Sequence, residues 1–287
     1  MYRKKEMVNN LIEALPYIER FRNKIFVIKY GGSIIGNTPN KLAFIEDISL
    51  LTHLGMKIII VHGGGKHINK HLLEKGIKSN FHKGYRITDS NTINEVEMVL
   101  SGHLNKDITL LLNNSGTKAV GINGKDAGLI KSEKKIIDKE VDIGHVGEIV
   151  NINTEFLDLL LDKNYIPVIS PIGYDKEGNT YNINADDVAS EIANSMKAEK
   201  LFLISDINGI YTNLNDNSTF ISRLNINESK KLISDGLING GMIPKINSCI
   251  NSIENGVKSV HIINGELTHS ILLEVFTDQG IGTMIEE

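Results

Sequence analysis

Two apolar segments of this chain each run directly into a group of glycines. Residues 25–33 read IFVIKYGGS, and residues 58–65 read IIIVHGGG. Each segment begins as a buried β-strand and ends as a loop with little room for side chains. Because backbone N–H groups freed by glycine bind phosphate oxygens well, the two loops indicate one shared anion site.

The rest of the chain alternates apolar strands with helical stretches. Strands are predicted at 25–28, 57–61, 119–121, 166–169, 201–205 and 259–263. Helices are predicted at 43–54, 67–75, 93–112, 154–163, 185–196, 229–235 and 245–255. This alternation predicts an α/β fold, a three-layer αβα sandwich around a mostly parallel open sheet, with ligands beyond the carboxyl ends of the strands.

Residues 1–22 precede the first strand and form a separate pattern. Apolar residues recur there at three- and four-residue spacing, which predicts an amphipathic helix that Pro16 bends or breaks. The helix either covers its own domain or reaches a neighbouring subunit.

Two other segments depart from the strand–helix rhythm. Alternating polar and apolar residues with turn signals predict antiparallel hairpins at 130–149 and 172–183. No linker divides the chain, so we expect an N-terminal lobe at 23–197 and a C-terminal lobe at 198–287 that share one sheet.

Composition excludes several classes of protein. A net charge of −4 without a basic cluster argues against nucleic-acid binding. No apolar run reaches the ~18 residues of a membrane span and the N-terminus lacks a signal-peptide core, so we expect a cytoplasmic protein without a membrane partner. The single cysteine, Cys249, cannot form an intrachain disulfide, and no Cys/His spacing suits zinc.

Two lysines stand where a positive charge is costly. Lys29 ends an otherwise apolar strand, so it either reaches solvent or meets an anion. Lys245 lies just inside a predicted helix start, where the helix dipole disfavours a cation unless an anion is near. Both positions favour an anionic ligand.

Two polar segments add candidate ligand groups. Arg86, in GYRITD, is suited to a bidentate grip on a carboxylate, although it is alternatively a solvated surface residue. Residues 182–187, NINADD, open a helix, so their carboxylates are either helix caps or functional groups.

Two lysines, a carboxylate and two glycine loops are typical of a site for phosphoryl transfer. An acceptor group that is already an anion needs no base to activate it. A carboxylate acceptor, giving an acyl phosphate, is therefore favoured.

Neither glycine loop carries a common nucleotide-binding fingerprint. The pattern G-x-G-x-x-G would need glycine at Ile68, and neither a P-loop nor the protein-kinase motifs occur. The phosphate chemistry therefore belongs to another lineage.

Taken together, these segments resemble the amino acid kinase family from about residue 25 to residue 285. The resemblance rests on the joint order of 29–33, 62–65, the Arg86 segment, 124–126 (GKD), 144–147 (GHVG), 182–187, 205–211 (SDINGIY) and 241–245 (GMIPK). It implies an ATP-dependent phosphorylation of N-acetyl-L-glutamate on its γ-carboxylate, the second step of arginine biosynthesis. Mg²⁺ would be bound through ATP and not by a protein metal site.

The resemblance also implies roles for individual residues. Lys29 and Lys245 would be the catalytic cations, and Asp186 would organise them. Acetylglutamate would bind in the N-terminal lobe, at Gly64, Gly65, Arg86 and Asn182, and phosphate at Gly31, Gly32 and Gly64. The nucleotide would bind in the C-terminal lobe, at Ser205, Asp206, Gly209, Tyr211, Gly241, Met242 and Lys245. Asp206 alternatively only shapes a turn.

Arginine-inhibited members of the family resemble this chain in having an N-terminal helix. That helix joins dimers into a hexameric ring, so the resemblance implies a homo-hexamer built as a trimer of dimers, and at minimum a homodimer. It also implies feedback inhibition by L-arginine in the C-terminal lobe, at a site formed by Tyr17, His269, Glu274 and Gly280.

Other activities within the family are alternatives. Aspartate and glutamate kinases usually carry further domains, for which we expect no room in a chain that ends at Glu287. UMP and carbamate kinases share the fold, but a UMP kinase would need contacts to a nucleotide in place of Arg86 and Asn182. A non-catalytic arginine or nucleotide sensor would have no need for both Lys29 and Lys245.

Overall fold

The structure is a computed structural model that describes residues 2–31, 38–138, 140–213, 216–238, 242–277 and 280–287. Its helices are α1 (Tyr2–Phe21), α2 (Thr38–His53), α3 (Gly65–Glu74), α4 (Ser90–Glu97), α5 (Asn105–Asn114), α6 (Thr154–Asp162), α7 (Ala185–Ser195), α8 (Ile226–Ser234), α9 (Met242–Glu254) and α10 (Ser270–Val275). A π-helical segment, Met98–Leu104, joins α4 to α5. Short 3-10 turns lie at Asp126–Gly128 and Asn217–Thr219.

The strands are short, and most follow the apolar runs of the sequence. They are β1 (Ile25–Tyr30), β2 (Lys57–His62), β3 (Phe81–His82), β4 (Tyr85–Arg86), β5 (Ala119–Asn123), β6 (Ile130–Lys134), β7 (Gly147–Ile152), β8 (Ile166–Ser170), β9 (Ile172–Tyr174), β10 (Thr180–Asn182), β11 (Lys200–Ser205), β12 (Ile210–Tyr211), β13 (Phe220–Ile221), β14 (Arg223–Asn225), β15 (Ser259–Asn264) and β16 (Thr283–Glu286).

An eight-stranded sheet forms the centre of the fold, in the order β14-β16-β15-β11-β1-β2-β8-β5. From β15 to β5 the neighbouring strands are parallel. At the other edge β16 runs antiparallel to β15, and β14 follows β16. The prediction of a mostly parallel open sheet is confirmed. The sheet crosses the proposed lobe boundary, so the division into lobes stays a prediction.

Successive side chains of β1 point into two different apolar layers. Val27 packs with residues of α6, α7 and α9, whereas Phe26 and Ile28 pack with residues of α2, α3, α5 and α10. All three side chains are fully buried, and each large apolar side chain contributes about 1.5–3 kcal/mol on burial. Helical layers therefore cover both faces of the sheet, which confirms the three-layer architecture.

The register of β1 places its carboxyl end beside that of β2. Lys29 is opposite Val61 of β2 and Leu203 of β11. Just beyond, the N–H of Gly63 donates to the carbonyl of Tyr30 at 2.7 Å. The carboxyl ends of β1, β2 and β11 thus lie together at one edge of the sheet.

Both predicted hairpins are present. β6 pairs antiparallel with β7, and β9 pairs antiparallel with β10. They join in a four-stranded sheet, in the order β10-β9-β6-β7. The described residues between these two strands, 135–138 and 140–146, connect β6 to β7 and include the turn signal at 142–144.

The N-terminal amphipathic helix is present, but the predicted break at Pro16 is wrong. α1 continues through Pro16 and ends at Phe21, so the proline does not break it. Aromatic packing holds its C-terminal end, because the Phe21 ring lies 5.4 Å from Phe26 and the Tyr17 ring lies 6.5 Å from Phe276. None of the helices in the described part of the chain has both the length and the apolarity that a membrane span requires.

Candidate active site

Two lysines from different elements meet at one carboxylate. Lys29, near the carboxyl end of β1, places its Nζ 2.9 Å from Oδ1 of Asp186. Lys245, in the first turn of α9, places its Nζ 3.3 Å from Oδ2 of the same residue. The three side chains together carry one net positive charge.

Burial and charge act on Asp186 in opposite directions. Burial would raise its pKa, but attraction to Lys29 and then to Lys245 outweighs this effect and lowers the pKa to about 2. The three side chains are largely enclosed, with 26% of Asp186, 13% of Lys29 and 18% of Lys245 exposed. The carboxylate therefore stays ionised and holds both ammonium groups in place.

The start of α7 determines where Asp186 lies. Asn184 is the N-cap, and its side-chain oxygen accepts a hydrogen bond from the N–H of Asp186 at 2.8 Å. The alternative that the carboxylates of this segment are the helix caps is wrong, because the Asn184 amide caps the helix. Asp186 lies in the first turn, where the helix dipole also favours a negative charge.

Little room is left for a side chain at Gly31 and Gly64. A Cβ atom at Gly31 would lie 2.7 Å from Nζ of Lys29. A Cβ atom at Gly64 would lie 2.5 Å from Cδ2 of Leu100 and 2.7 Å from Cδ1 of Leu104. Gly64 is also the N-cap of α3, and the first N–H groups of a helix have no partner within it. The loop therefore offers donors to an anion.

Replacing Gly64 by alanine is expected to lower both stability and activity. The added methyl group collides with two core leucines, and overpacking of this kind costs about 1–3 kcal/mol. Thermal unfolding and kcat measure the two effects. Gly65→Ala is the matched control for stability, because no atom lies within 4 Å of a Cβ built there. Equal melting temperatures for the two variants would contradict the packing argument.

Arg86 is buried, with 7% of the residue exposed, so the surface alternative is wrong. It lies on a short strand and not in a loop. Its guanidinium stacks over the Phe81 ring at 4.7 Å, and its Nη atoms donate to Ser79 Oγ and, at 3.4 Å, to the carbonyl of Gly65. Burial lowers the pKa of Arg86, and no carboxylate of the described residues offsets that effect. A buried guanidinium without a counter-ion favours an anionic ligand.

Asn182, at the end of β10, contributes a side-chain amide to the site. Its N–H donates to the carbonyl of His145 at 2.9 Å, which fixes the backbone. Its side-chain Nδ2 makes only a long bond, 3.4 Å, to Oγ1 of Thr88. The amide is therefore positioned to bind a ligand in addition.

A cavity of about 470 Å³ brings these groups together. We call it the acceptor cavity, and its polar lining includes Lys29, Gly64, Gly65, Arg86, Asn182 and Asp186. Its apolar lining includes Ile68, Phe81, Leu100, Val146, Pro171, Ile183 and Ala185. A cavity that contains Lys29 and Arg86 together with apolar lining suits a short carbon chain that carries two anionic groups. Gly32 lies outside the described residues.

The sequence profile of the amino acid kinase family matches residues 24–264. The chain belongs to the amino acid kinase family. The matched region includes Lys29, Arg86, Asn182, Asp186 and Lys245.

Relatives within the amino acid kinase family align over nearly the whole chain. The acetylglutamate kinase of Campylobacter hominis is 54% identical over 287 residues, which cover 100% of this chain and 99% of that protein. The acetylglutamate kinase of Thermoanaerobacter pseudethanolicus is 51% identical over 275 residues, which cover 96% and 91%.

A larger protein of known structure shares the fold. N-acetylglutamate synthase from Neisseria gonorrhoeae, complexed with coenzyme A and N-acetyl-glutamate, superposes with a TM-score of 0.86 at 27% identity, over 98% of this chain and 63% of that chain. The synthase complexed with coenzyme A and L-arginine gives a TM-score of 0.81 at 25% identity, over 97% and 65%. This chain thus spans less than two thirds of the synthase.

In this member of the amino acid kinase family, four residues predicted to bind the nucleotide lie at or beyond the end of β11. They are Ser205, Asp206, Gly209 and Tyr211. β11 is parallel to β1, so the segment begins at the same sheet edge as Lys29. Gly209 has a φ of +144°, which favours glycine, and a Cβ there would lie 2.6 Å from Thr283 Oγ1. None of the four lines the acceptor cavity.

The other nucleotide-site predictions fall at the start of α9. Met242 is the first residue of that helix and packs against the apolar core, three positions before Lys245. Gly241 lies outside the described residues.

A second cavity, of about 720 Å³, lies beside the C-terminal end of α1. We call it the α1 cavity, and it is lined by three of the residues predicted for arginine: Tyr17, Glu274 and Gly280. His269 does not line it. The His269 side chain instead pairs with Asp47, a buried carboxylate on α2, with 2.6 Å between Nδ1 and Oδ1. This contact orients the imidazole towards α2 and not towards the α1 cavity.

Sequence reasoning missed a buried polar chain in the α1 cavity. Nζ of Lys200 lies 2.8 Å from Nε2 of His261, whose Nδ1 lies 2.6 Å from Oε1 of Glu274. Burial lowers the pKa of Lys200 to about 8 and that of His261 to about 4. A neutral imidazole therefore accepts from the lysine and donates to the carboxylate. The sequence carried a signal for this polar chain, because Lys200 and His261 lie in the otherwise apolar strands KLFLIS and SVHIIN.

Acidification should destabilise the protein through His261. Its folded pKa of about 4 lies below the ordinary value of 6.5, so the unfolded chain binds the proton more readily. The stability contributed by the neutral ring is present above pH 6.5 and is lost as the pH falls towards 4, by up to about 3 kcal/mol. We expect His261→Gln to flatten the pH dependence of the free energy of unfolding in urea over this range.

Comparing the native chain with His261→Gln isolates the contribution of His261, because His62 is present in both of them. His62 is also buried, with a pKa lowered to about 4 by burial, and contributes with the same sign. Parallel pH profiles for the native chain and His261→Gln would contradict the assignment.

Proposed function

We propose that this chain uses ATP to phosphorylate the γ-carboxylate of N-acetyl-L-glutamate, the second step of arginine biosynthesis. The acetylglutamate kinases that align with nearly all of the chain, at 51% and 54% identity, support this activity. The structural observation that carries it is the buried Arg86, which has no carboxylate partner among the described residues and shares the acceptor cavity with Lys29 and Asp186. Acetylglutamate has one carboxylate for Arg86 and a second one for the phosphoryl group.

Transfer in this site depends on charge stabilisation. The acceptor carboxylate is ionised at neutral pH, so its oxygen can attack the γ-phosphorus of ATP without a base while the bond to the ADP oxygen breaks. Lys29 and Lys245 neutralise the charge on the transferring group, and Asp186 holds them in place. The N–H groups near Gly31 and Gly64 hold phosphoryl oxygens.

Arg86 and Asn182 would select the acceptor. The guanidinium can bind the α-carboxylate in bidentate fashion, and the Asn182 amide adds a hydrogen bond. Free glutamate carries an ammonium group where acetylglutamate carries a neutral amide. That charge would lie close to Arg86, so we expect free glutamate to be a poor substrate.

We propose that Mg²⁺ enters with ATP. Within the described residues, no three His, Cys, Asp or Glu side chains form a group that could hold a metal ion. Both oxygens of Asp186 already face lysine ammonium groups. The donor set therefore fits an ion held mainly by phosphate oxygens, where it would neutralise part of their charge. The nucleotide would lie over the segment after β11 and the start of α9, near Lys245.

A substrate panel tests the proposed activity. ADP release is measured with N-acetyl-L-glutamate, L-glutamate, carbamate and UMP under identical conditions. We expect turnover with acetylglutamate and little with the other three. Turnover with UMP or carbamate alone would overturn the proposal, and ADP release with none of the four would favour a non-catalytic sensor.

We also propose that L-arginine inhibits the enzyme by binding in the α1 cavity. The synthase complex with L-arginine supports such a ligand on this fold. α1 ends at Phe21 and β1 begins at Ile25, so a shift of α1 would be transmitted along β1 to Lys29. Removing residues 1–22 should abolish inhibition in an activity titration with arginine. Retained inhibition would contradict this role of α1.

We also propose that the protein is a cytoplasmic homo-hexamer, and the same helix supports the hexamer. Ile12 and Leu15 on α1 are 62% and 49% exposed in the single chain, which leaves an apolar face for another subunit. Sedimentation of the native chain and of the chain without residues 1–22 should differ by the loss of the hexamer. Hexamers from both proteins would contradict the proposal.

A further inference from the structure

A smaller polar cavity, of about 270 Å³, shares a wall with the acceptor cavity. We call it the side cavity, and Tyr85 and Ile183 line both cavities. Asp186 lines the acceptor cavity, whereas the next residue, Asp187, lines the side cavity. The first turn of α7 thus presents one carboxylate to each cavity, and the mechanism above uses only one of them.

Three side chains form a cluster at the shared wall. Nζ of Lys135 lies 5.1 Å from the centre of the Tyr85 ring, a cation–π distance, and also interacts with the Tyr85 hydroxyl. Asp187 interacts with both Lys135 and Tyr85. We call these three residues the Tyr85 cluster. It connects α7, the β6–β7 connection and strand β4.

The strand that the cluster holds also carries Arg86. β3 and β4 are two residues long and pair at only two register positions, so the hairpin has little backbone support of its own. Tyr85 and Arg86 are consecutive, so contacts that hold Tyr85 in place also constrain the backbone of Arg86. At the far end of the hairpin, Asp138 pairs with His82 at 2.8 Å and with Lys83 at 2.9 Å.

Burial and the charge of Lys135 act on Asp187 in opposite directions. Burial raises the pKa of its carboxyl group, while attraction to Lys135 acts in the opposite direction. Lys135 has a second partner, Glu148, at 3.6 Å, but that side chain is 58% exposed and lies on β7. Asp187 is therefore the more enclosed of the two carboxylates that hold Lys135 beside the Tyr85 ring.

We propose that Asp187 is a positioning residue that holds Arg86 in the acceptor cavity by acting through Tyr85 and Lys135. The inference rests on the proposed function, because it concerns binding of the acceptor. The inference gives the two adjacent carboxylates of α7 different roles. Asp186 organises the lysines, whereas Asp187 organises the acceptor-binding strand.

The test compares Asp187→Ala, Tyr85→Phe and the double variant. We expect each single variant to raise the KM for acetylglutamate by about tenfold, the scale of one hydrogen bond to a charged group. The KM for ATP should stay within about twofold, and kcat within about threefold, because the lysine cluster is untouched. The double variant should resemble the single ones, because both changes remove the same interaction.

Glu191→Ala is the matched control, because Glu191 lines the same cavity one turn further along α7. It removes the same charge and should leave the KM for acetylglutamate unchanged. If Asp187→Ala does not fold, Asp187→Asn and Tyr85→Phe provide the same comparison.

The outcomes separate this inference from the proposed function. A native KM in Asp187→Ala and Tyr85→Phe would overturn the positioning role, as would fully additive effects in the double variant. So would an equal rise in the KM for ATP, because it would indicate a general loss of structure. Absence of acetylglutamate turnover in the native chain would overturn the proposed function instead.

Discussion

Replacing Lys29 by methionine is expected to lower kcat by about 10²–10³-fold, the scale of losing one preorganised donor to a transition state. The ammonium group lies 2.9 Å from Asp186 in a largely enclosed site, where its charge is weakly screened. Stability should change much less, because Asp186 keeps Lys245 as a partner at 3.3 Å. Turnover under saturating substrates and thermal unfolding measure the two effects.

Lys57→Met is the matched control for Lys29. Lys57 begins the neighbouring strand β2 and pairs with Asp162 at 2.9 Å, but the Asp162 side chain is 67% exposed. An exposed pair contributes little, so this variant should keep native turnover and stability within about 1 kcal/mol. A similar loss of kcat in both variants would show that lysines on these strands act through the fold and not through the phosphoryl group.

Replacing Arg86 by methionine should strongly weaken acceptor binding without destabilising the free protein. The guanidinium is buried over Phe81 without a carboxylate partner among the described residues, which is a costly state for a charge. Methionine fills similar space and packs well on an aromatic ring. We expect the KM for acetylglutamate to rise by about 100-fold or more, because truncating one partner of a buried charged contact costs roughly 2–5 kcal/mol.

Thermal unfolding distinguishes this role from a structural one. Acetylglutamate should raise the melting temperature of the native chain by mass action, and that shift should vanish in Arg86→Met. The unliganded variant should melt at the same temperature as the native chain or higher. Arg223→Met is the control, since Arg223 forms an exposed pair with Glu286. A marked fall in the melting temperature of unliganded Arg86→Met would contradict the account.

Sequence reasoning located the parts of the fold that depend on local pattern. Buried parallel strands need continuous apolar runs, and their ends were marked by glycines, so β1 and β2 and the loops after them were predicted. The boundary of β11 was missed by one residue, because Lys200 begins the strand and a lysine there is unexpected. Lys200 is tolerated because His261 lies 2.8 Å away on the neighbouring strand.

What the sequence could not show depends on contacts between distant residues. Strands of two residues, such as the one that carries Arg86, are too short to display a period of two. The position of the strand that carries Arg86 depends on the contact between Tyr85 and Lys135. These two residues are 50 positions apart in the chain and meet only in the folded protein. The π-helical segment that places Leu100 and Leu104 beside Gly64 likewise has the apolar pattern of an ordinary helix.

Trapping the product tests the central claim most directly. The native chain is incubated with Mg²⁺-ATP and N-acetyl-L-glutamate, and hydroxylamine is added to convert an acyl phosphate into a hydroxamate. We predict that the hydroxamate of the γ-carboxylate forms in a one-to-one ratio with ADP, and that Lys29→Met forms almost none. ADP release without hydroxamate, or hydroxamate formation that does not depend on Lys29, would contradict carboxylate phosphorylation by the lysine cluster around Asp186.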